Sequence, residues 1–369
     1  MSGDEAWLGP GVYRPAGPMP SRAGPGYPPG APDPGGLAAA RAMLRERGVQ
    51  SPARREHALS VALDRDVWVK YESFLPVGSF KLRGALWAVG QASRRGAEAV
   101  VTASTGNHGQ GMALAGLQLG VPVTVFIPAG VDAVKQRRMR DLGAELRTAG
   151  AVLTDAEAAA RRFADEIGGT YVEDGESADL LAGAASIGAE ILDQVPAVDT
   201  VIAPVGGGNL AAALCLAMSA AAAPVTLIGI QSTAAPAVTL SWLNRRAVWR
   251  PCRTLAGGLA TEHPGGLALA VLCARLDAMG LVDEDDLWSA LRWTYDVLGH
   301  NLELAAQAPF AALRRFGSSI PGERVVVVAS GACIGAGQLA AALSGQSRQD
   351  WIGESAAGRN PAVSPGPGG

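Results

Sequence analysis

Residues 99–120 read AVVTASTGNHGQGMALAGLQLG, and an architecture follows from them. The apolar, β-branched run AVVTAS enters a short loop of Ser, Thr, Gly, Asn and His. Ala/Leu-rich helical text then follows and stops at Gly120. The same order of strand, loop and helix recurs at 200–221, TVIAPVGGGNLAAALCLAMSAA, and VVVVAS at 325–330 again runs into a glycine, Gly331. VWVKYE (67–72), PVTVFIP (122–128) and VTLIGI (225–230) add further strand-like runs. Several of these runs are apolar on both faces, as strands inside a helix-covered parallel sheet must be. Helical text such as AVKQRRMRDLG, LTDAEAAARRFADEIG and EDDLWSALRWTYDVLG lies between them. This alternation predicts an open α/β fold.

The chain has 369 residues, enough for one large or two intermingled domains. A net charge of -3 with 18% charged residues makes nucleic acid and anionic membrane poor candidate partners. The four cysteines (Cys215, Cys252, Cys273, Cys333) and four histidines (His57, His108, His263, His300) have no CxxC, HxH or HExxH spacing. No metal site or disulfide framework is therefore expected. Sparse cysteines and the lack of a secretory signal pattern predict a reduced, cytoplasmic protein. Thr200–Asn244 holds no charged residue, but GGGN, Pro224 and Pro236 cut it below membrane-spanning length. Residues 1–36 contain nine Pro and nine Gly and are expected to form a disordered arm, and residues 345–369 a disordered tail.

In an open α/β sheet, ligands bind beyond the carboxyl ends of strands. The glycine loops there bring backbone N–H groups and helix N-termini toward an anion. Gly206-Gly207-Gly208-Asn209, followed by a helix, is a candidate phosphate cup or a plain tight turn. Ser104-Thr105-Gly106-Asn107-His108 is a candidate ligand loop or a capped strand–helix connection. A nicotinamide site is disfavoured, because no GxGxxG follows a strand with an acid about 20 residues on. Only three lysines, Lys70, Lys81 and Lys135, accompany 28 arginines. A lysine can attack a carbonyl as an amine, whereas arginine cannot. Lys81, between Phe80 and Leu82, is a candidate for that chemistry; its alternatives are a surface lysine or a partner of Glu72.

Together, SFKLRGA, ASTGNHGQGMA, PVGGGNL and VVASGA stand in the order and at about the spacing of a known group. The chain over roughly Val49 to Ala342 resembles the tryptophan synthase β-like (fold-type II) pyridoxal-phosphate enzymes, and most of all the serine/threonine dehydratases. The resemblance implies an α/β fold of two open parallel-type sheets wrapped by helices and pyridoxal 5'-phosphate as cofactor. Lys81 would carry the cofactor and act catalytically, with Phe80 packed beside it. Asn107 would bond the cofactor's ring hydroxyl, Gly206, Gly207, Gly208 and Asn209 its phosphate, and Ser330 its pyridine nitrogen. Ser104, Thr105, Gly106, Asn107 and His108 would grip the substrate carboxylate. A serine at the pyridine nitrogen does not keep it protonated, which favours prompt loss of a β-substituent.

The implied reaction is β-elimination from a small β-hydroxy amino acid, such as L-threonine or L-serine, to a 2-oxo acid and ammonia. Lys81 would take the Cα proton, and the cofactor phosphate would assist departure of the hydroxyl. Racemisation, β-replacement, elimination of another substituent, or a non-catalytic binding protein are the alternatives. The resemblance also implies a homo-oligomer such as a dimer. Residues 94–180 are expected as a small mobile domain, with 37–93 plus 181–344 as the large one. Several positions depart from the pattern. Gln231 and Gly257 stand where acids help bind a cation in some relatives, so no metal is expected. Glu303 resembles a glutamate near the cofactor ring or is simply a helix N-terminal acid. Cys333 replaces a common asparagine and is expected to be a buried thiol.

Overall fold

The computed structural model describes residues 8–15 and 27–356. Among the described residues eleven strands are formed: β1 (Gly11–Tyr13), β2 (Ala53–Arg55), β3 (Asp66–Tyr71), β4 (Val100–Ala103), β5 (Val123–Ile127), β6 (Glu145–Thr148), β7 (Thr170–Tyr171), β8 (Thr200–Pro204), β9 (Thr226–Ser232), β10 (Ala278–Val282) and β11 (Arg324–Ala329). Seven build a sheet in the order β1-β10-β9-β8-β11-β3-β2, and four build a second in the order β6-β5-β4-β7. All pairings are parallel except those of the edge strands β1 and β2. The central strands β8, β9 and β11 are buried along nearly their whole length, which explains their unbroken Val/Ile text. This is the expected α/β fold of two parallel-type sheets wrapped by helices. Among the described residues, no helix is long and apolar enough to cross a membrane.

The helix Lys81–Arg94 crosses Ala178–Gln194 through a glycine contact. A Cβ at Gly84 would lie 2.7 Å from the Leu180 carbonyl oxygen, and one at Gly183 2.4 Å from that of Arg83. Only glycine lets the two backbones meet this closely. Beneath the crossing, Arg83 bonds Glu72 (2.7 Å) and Glu190 (2.6 Å), and Lys70 bonds Glu190 (2.5 Å), all four buried. The network fixes the helix that begins at Lys81.

Order extends further than composition implies, so the arm and tail boundaries need correction. Within residues 1–36, Gly11–Tyr13 adds an antiparallel edge strand to β10, and the helix Pro34–Glu46 starts on an Asp33 cap. Within 345–369, Arg348–Ala356 forms a helix. Its Trp351 is buried against Trp288, ring centroids 5.5 Å apart, while Trp288 Nε1 donates to the Gln346 carbonyl at 2.9 Å. One large apolar side chain supplies enough burial to order a Gly/Ser-rich stretch. Residues 1–7, 16–26 and 357–369 of these segments lie outside the described residues.

Candidate active site

Three of the flagged loops converge at the carboxyl ends of β4, β8 and β11. After β8, the backbone amides of Gly206, Gly207, Gly208 and Asn209 have no acceptor among the described residues. They precede the helix Asn209–Met218, which has no side-chain cap. Gly208 sits at φ 106°, a left-handed conformation that favours glycine. A Cβ at Gly206 would meet the Gly258 carbonyl oxygen at 2.4 Å, whereas one at Gly207 meets nothing within 4 Å. The loop is a cradle of free N–H donors with open space on one side.

Lys81 starts its helix directly after Phe80, whose amide donates to the Ser330 carbonyl at 3.1 Å. A bridge between Ser79 and Gly331 also ties this segment to the end of β11. Ser330 is buried. Opposite, Asn107 opens the helix Asn107–Leu119, and its Nδ2 donates to both carboxylate oxygens of Glu303 at 3.0 Å. The Glu303 amide in turn donates to the Gly331 carbonyl at 3.0 Å. Glu303 thus stands just before the helix Leu304–Phe316 and joins the Asn107 loop to the Ser330 loop. Burial raises its carboxyl pKa, against the pull of Asn107, Lys135, the Cys333 amide and Lys81.

His108 is buried, shares a 2.9 Å hydrogen bond with Thr102 Oγ1 through Nε2, and leaves Nδ1 without a partner. Burial pulls its pKa down to about 4, so the ring is neutral at pH 7. The other loop residues divide. Thr105 is exposed at the cleft. Ser104 Oγ accepts from the amides of Gly106 (3.1 Å) and Gly109 (3.0 Å), so it also holds the loop in shape.

The departures acquire roles. Gln231 Oε1 accepts from Thr239 N (2.8 Å) and Thr239 Oγ1 (2.9 Å), anchoring the helix Ala237–Asn244. Gly257 opens a short turn, Gly257–Leu259, beside the Gly206–Asn209 loop. Burial and the neighbouring Glu303 push the Cys333 thiol up to about 11, and Sγ donates to the Val77 carbonyl at 3.3 Å. It is an inert thiol at neutral pH.

One residue was missed by the sequence reading. Asp174 lies in the loop after β7, ion-pairs with Lys81 through Oδ2, and accepts from Asn209 Nδ2 at 2.5 Å through Oδ1. Burial acts to raise its pKa, but Lys81, His108 and the hydrogen bonds from Lys81 and Asn209 outweigh it and hold the carboxyl well below the usual range. Its one sequence signal is an acidic run, Glu173-Asp174-Gly175-Glu176, at the carboxyl end of a strand.

These residues fit a phosphorylated aldehyde. The free amides of Gly206–Asn209 suit a phosphate, the Lys81 amine lines a small cavity with Asn209, and the neighbouring Phe80 is tied to Ser330. The comparisons agree. A profile of the family described as "Pyridoxal-phosphate dependent enzyme" matches residues 44–331. The "L-threonine ammonia-lyase" of Geobacter sulfurreducens is 33% identical over 291 residues, spanning 78% of this chain and 72% of its own. That of Thermotoga maritima is 32% identical over 280 residues, spanning 74% and 68%. The structure of "the processed form of threonine deaminase isoform 2 from Solanum lycopersicum" superposes with a TM-score of 0.79 at 27% identity, covering 91% of this chain and 98% of that one. The chain belongs to the pyridoxal-phosphate dependent enzyme family.

Proposed function

We propose that this protein is a pyridoxal-phosphate dependent ammonia-lyase that eliminates water from a small β-hydroxy amino acid, L-threonine or L-serine, and regains one water as the resulting enamine hydrolyses, so that the net products are a 2-oxo acid and ammonia. The observation that carries the reading is the convergence of Lys81, Asn107, Ser330 and the Gly206–Asn209 cradle on one cleft. Two relatives named L-threonine ammonia-lyase, matched over about three quarters of this chain, support the substrate.

Bound pyridoxal phosphate supplies an electron sink that acidifies the substrate's Cα–H bond. In this reading the amides of Gly206, Gly207, Gly208 and Asn209 hold the phosphate. Phe80 would pack beside the ring, Asn107 would bond its hydroxyl, and Ser330 its nitrogen. Lys81 would hold the cofactor, and its free amine would take the Cα proton. The loop Ser104-Thr105-Gly106-Asn107-His108 receives the substrate carboxylate at the N-terminus of the helix Asn107–Leu119, where neutral His108 adds no charge. Residues 94–180, built around their own four-stranded sheet, would close on the large unit of 37–93 plus 181–344 and exclude water. A homo-oligomer and a cytoplasmic location belong to the same reading, the latter in keeping with a chain of 369 residues that holds four scattered cysteines.

The test is 2-oxo acid formation from L-threonine, L-serine, 3-hydroxyaspartate and 2,3-diaminopropionate by the cofactor-loaded protein. Turnover of threonine or serine at least tenfold above the others is expected. Preference for another amino acid would refute the substrate while leaving the fold and cofactor intact.

A further inference from the structure

Lys81 and Asp174 form an ion pair that the folded core does not require. Both face the cleft, with side chains 19% and 38% accessible, and both line a small cavity with Phe80, His108, Leu180 and Asn209. Among the described residues, the side-chain partners of Asp174 are Lys81 and Asn209, both already placed in the candidate site.

The loop that carries Asp174 is held from both sides. The Val172 amide donates to the Val101 carbonyl at 2.9 Å. Gly175 takes φ 97°, and a Cβ on Gly265 would meet the Gly175 carbonyl oxygen at 2.4 Å. The Glu176 carboxylate accepts from the amides of Gly266 and Leu267 at the start of another helix. The carboxylate is therefore delivered to Lys81 by a fixed backbone.

Resting on the reading that Lys81 carries the cofactor, we propose that Asp174 is a positioning residue for Lys81, the fixed counter-charge for the ammonium that Lys81 becomes. When the Cα–H bond breaks, its proton goes to the Lys81 amine and its electron pair stays with the substrate. A neutral amine beside a carboxylate thereby becomes an ammonium–carboxylate pair. The proton later leaves with the departing hydroxyl as water, and no further reactant is needed. A fixed carboxylate favours that charge as it develops and holds the amine in place. The other titratable groups around the pair are His108 on the helix Asn107–Leu119, Glu157 on Leu153–Ile167, Tyr171 on β7, and Glu303 facing Lys81. His108 is neutral at pH 7, and none of these groups hydrogen-bonds the Lys81 amine.

The experiment compares wild type, Asp174→Asn and Asp174→Glu as cofactor-loaded proteins. It reads the pH midpoint of the visible lysine–cofactor band and, separately, kcat and KM. Asp174→Asn should lower the midpoint by about one unit or more, since a hydrogen-bonded opposite charge shifts a titration by about 1–3 units. It should also lower kcat by about 100-fold with KM changed less than threefold. Asp174→Glu, which keeps the charge, should recover most of the midpoint. An unchanged midpoint in Asp174→Asn, or an equal shift in both variants, would overturn the proposal. Absence of any band in wild type would instead overturn the cofactor reading on which it rests.

Discussion

Replacing Gly207 with alanine separates cofactor binding from folding. A Cβ there meets no atom within 4 Å and the backbone is not left-handed, so the variant should fold with a melting temperature close to wild type. The methyl instead enters the space in front of the free amides of Gly206–Asn209. Displacing one N–H from a charged phosphate forfeits about 1.5–3 kcal/mol. At about 1.4 kcal/mol per decade, that weakens pyridoxal-phosphate affinity by roughly 10- to 100-fold. Gly206→Ala is the contrasting control. Its methyl would sit 2.4 Å from the Gly258 carbonyl oxygen, so it should lower the melting temperature itself. The assay is an absorbance titration of the cofactor-free protein, with thermal unfolding in parallel. Wild-type affinity in Gly207→Ala would refute the phosphate-cup assignment, and equal destabilisation by both variants would refute the steric reasoning.

Two further outcomes follow from buried charge. Arg83→Met leaves Glu72 and Glu190 with Lys70 as their one buried cation and should cost about 3–5 kcal/mol in urea unfolding; a loss under 1 kcal/mol would contradict the network's role. His108 has a folded pKa near 4 against about 6.5 unfolded, so the unfolded chain binds more protons between these values and stability falls as pH drops through that window. The His108 share of the loss is about 2 kcal/mol at pH 5. His108→Gln should flatten the decline of stability between pH 7 and pH 5, and an unaltered slope would show that other groups carry it.

The strands of the central sheet were legible because β8, β9 and β11 are buried on both faces and need continuous apolar text. β10 was not, since Ala278-Met279-Gly280 carries little β-branching and owes its extended form to pairing with β9. β1 was hidden for a related reason. Its hydrogen bonds come from the edge of β10, and nothing in a Pro/Gly-rich arm announces that. The glycine loops at the carboxyl ends of β4, β8 and β11 were readable because glycines and small polar residues directly follow apolar strand text there. Asp174 was not, because it stands 93 positions from Lys81 and the two meet only when the β7 loop packs on the large sheet's helices. Glu303 does stand at the N-terminus of the helix Leu304–Phe316, but its carboxylate accepts from Asn107 Nδ2, a contact between distant segments that no local pattern announces.

The central claim is that Lys81 binds pyridoxal phosphate and uses it on a β-hydroxy amino acid. The most direct measurement is the visible absorption spectrum of the cofactor-loaded protein beside Lys81→Ala, before and after L-threonine. The account predicts a band in wild type that is missing in Lys81→Ala, changes with threonine, and is accompanied by 2-oxo acid. A band of equal position and strength in Lys81→Ala, or none in wild type after soaking with the cofactor, would contradict it.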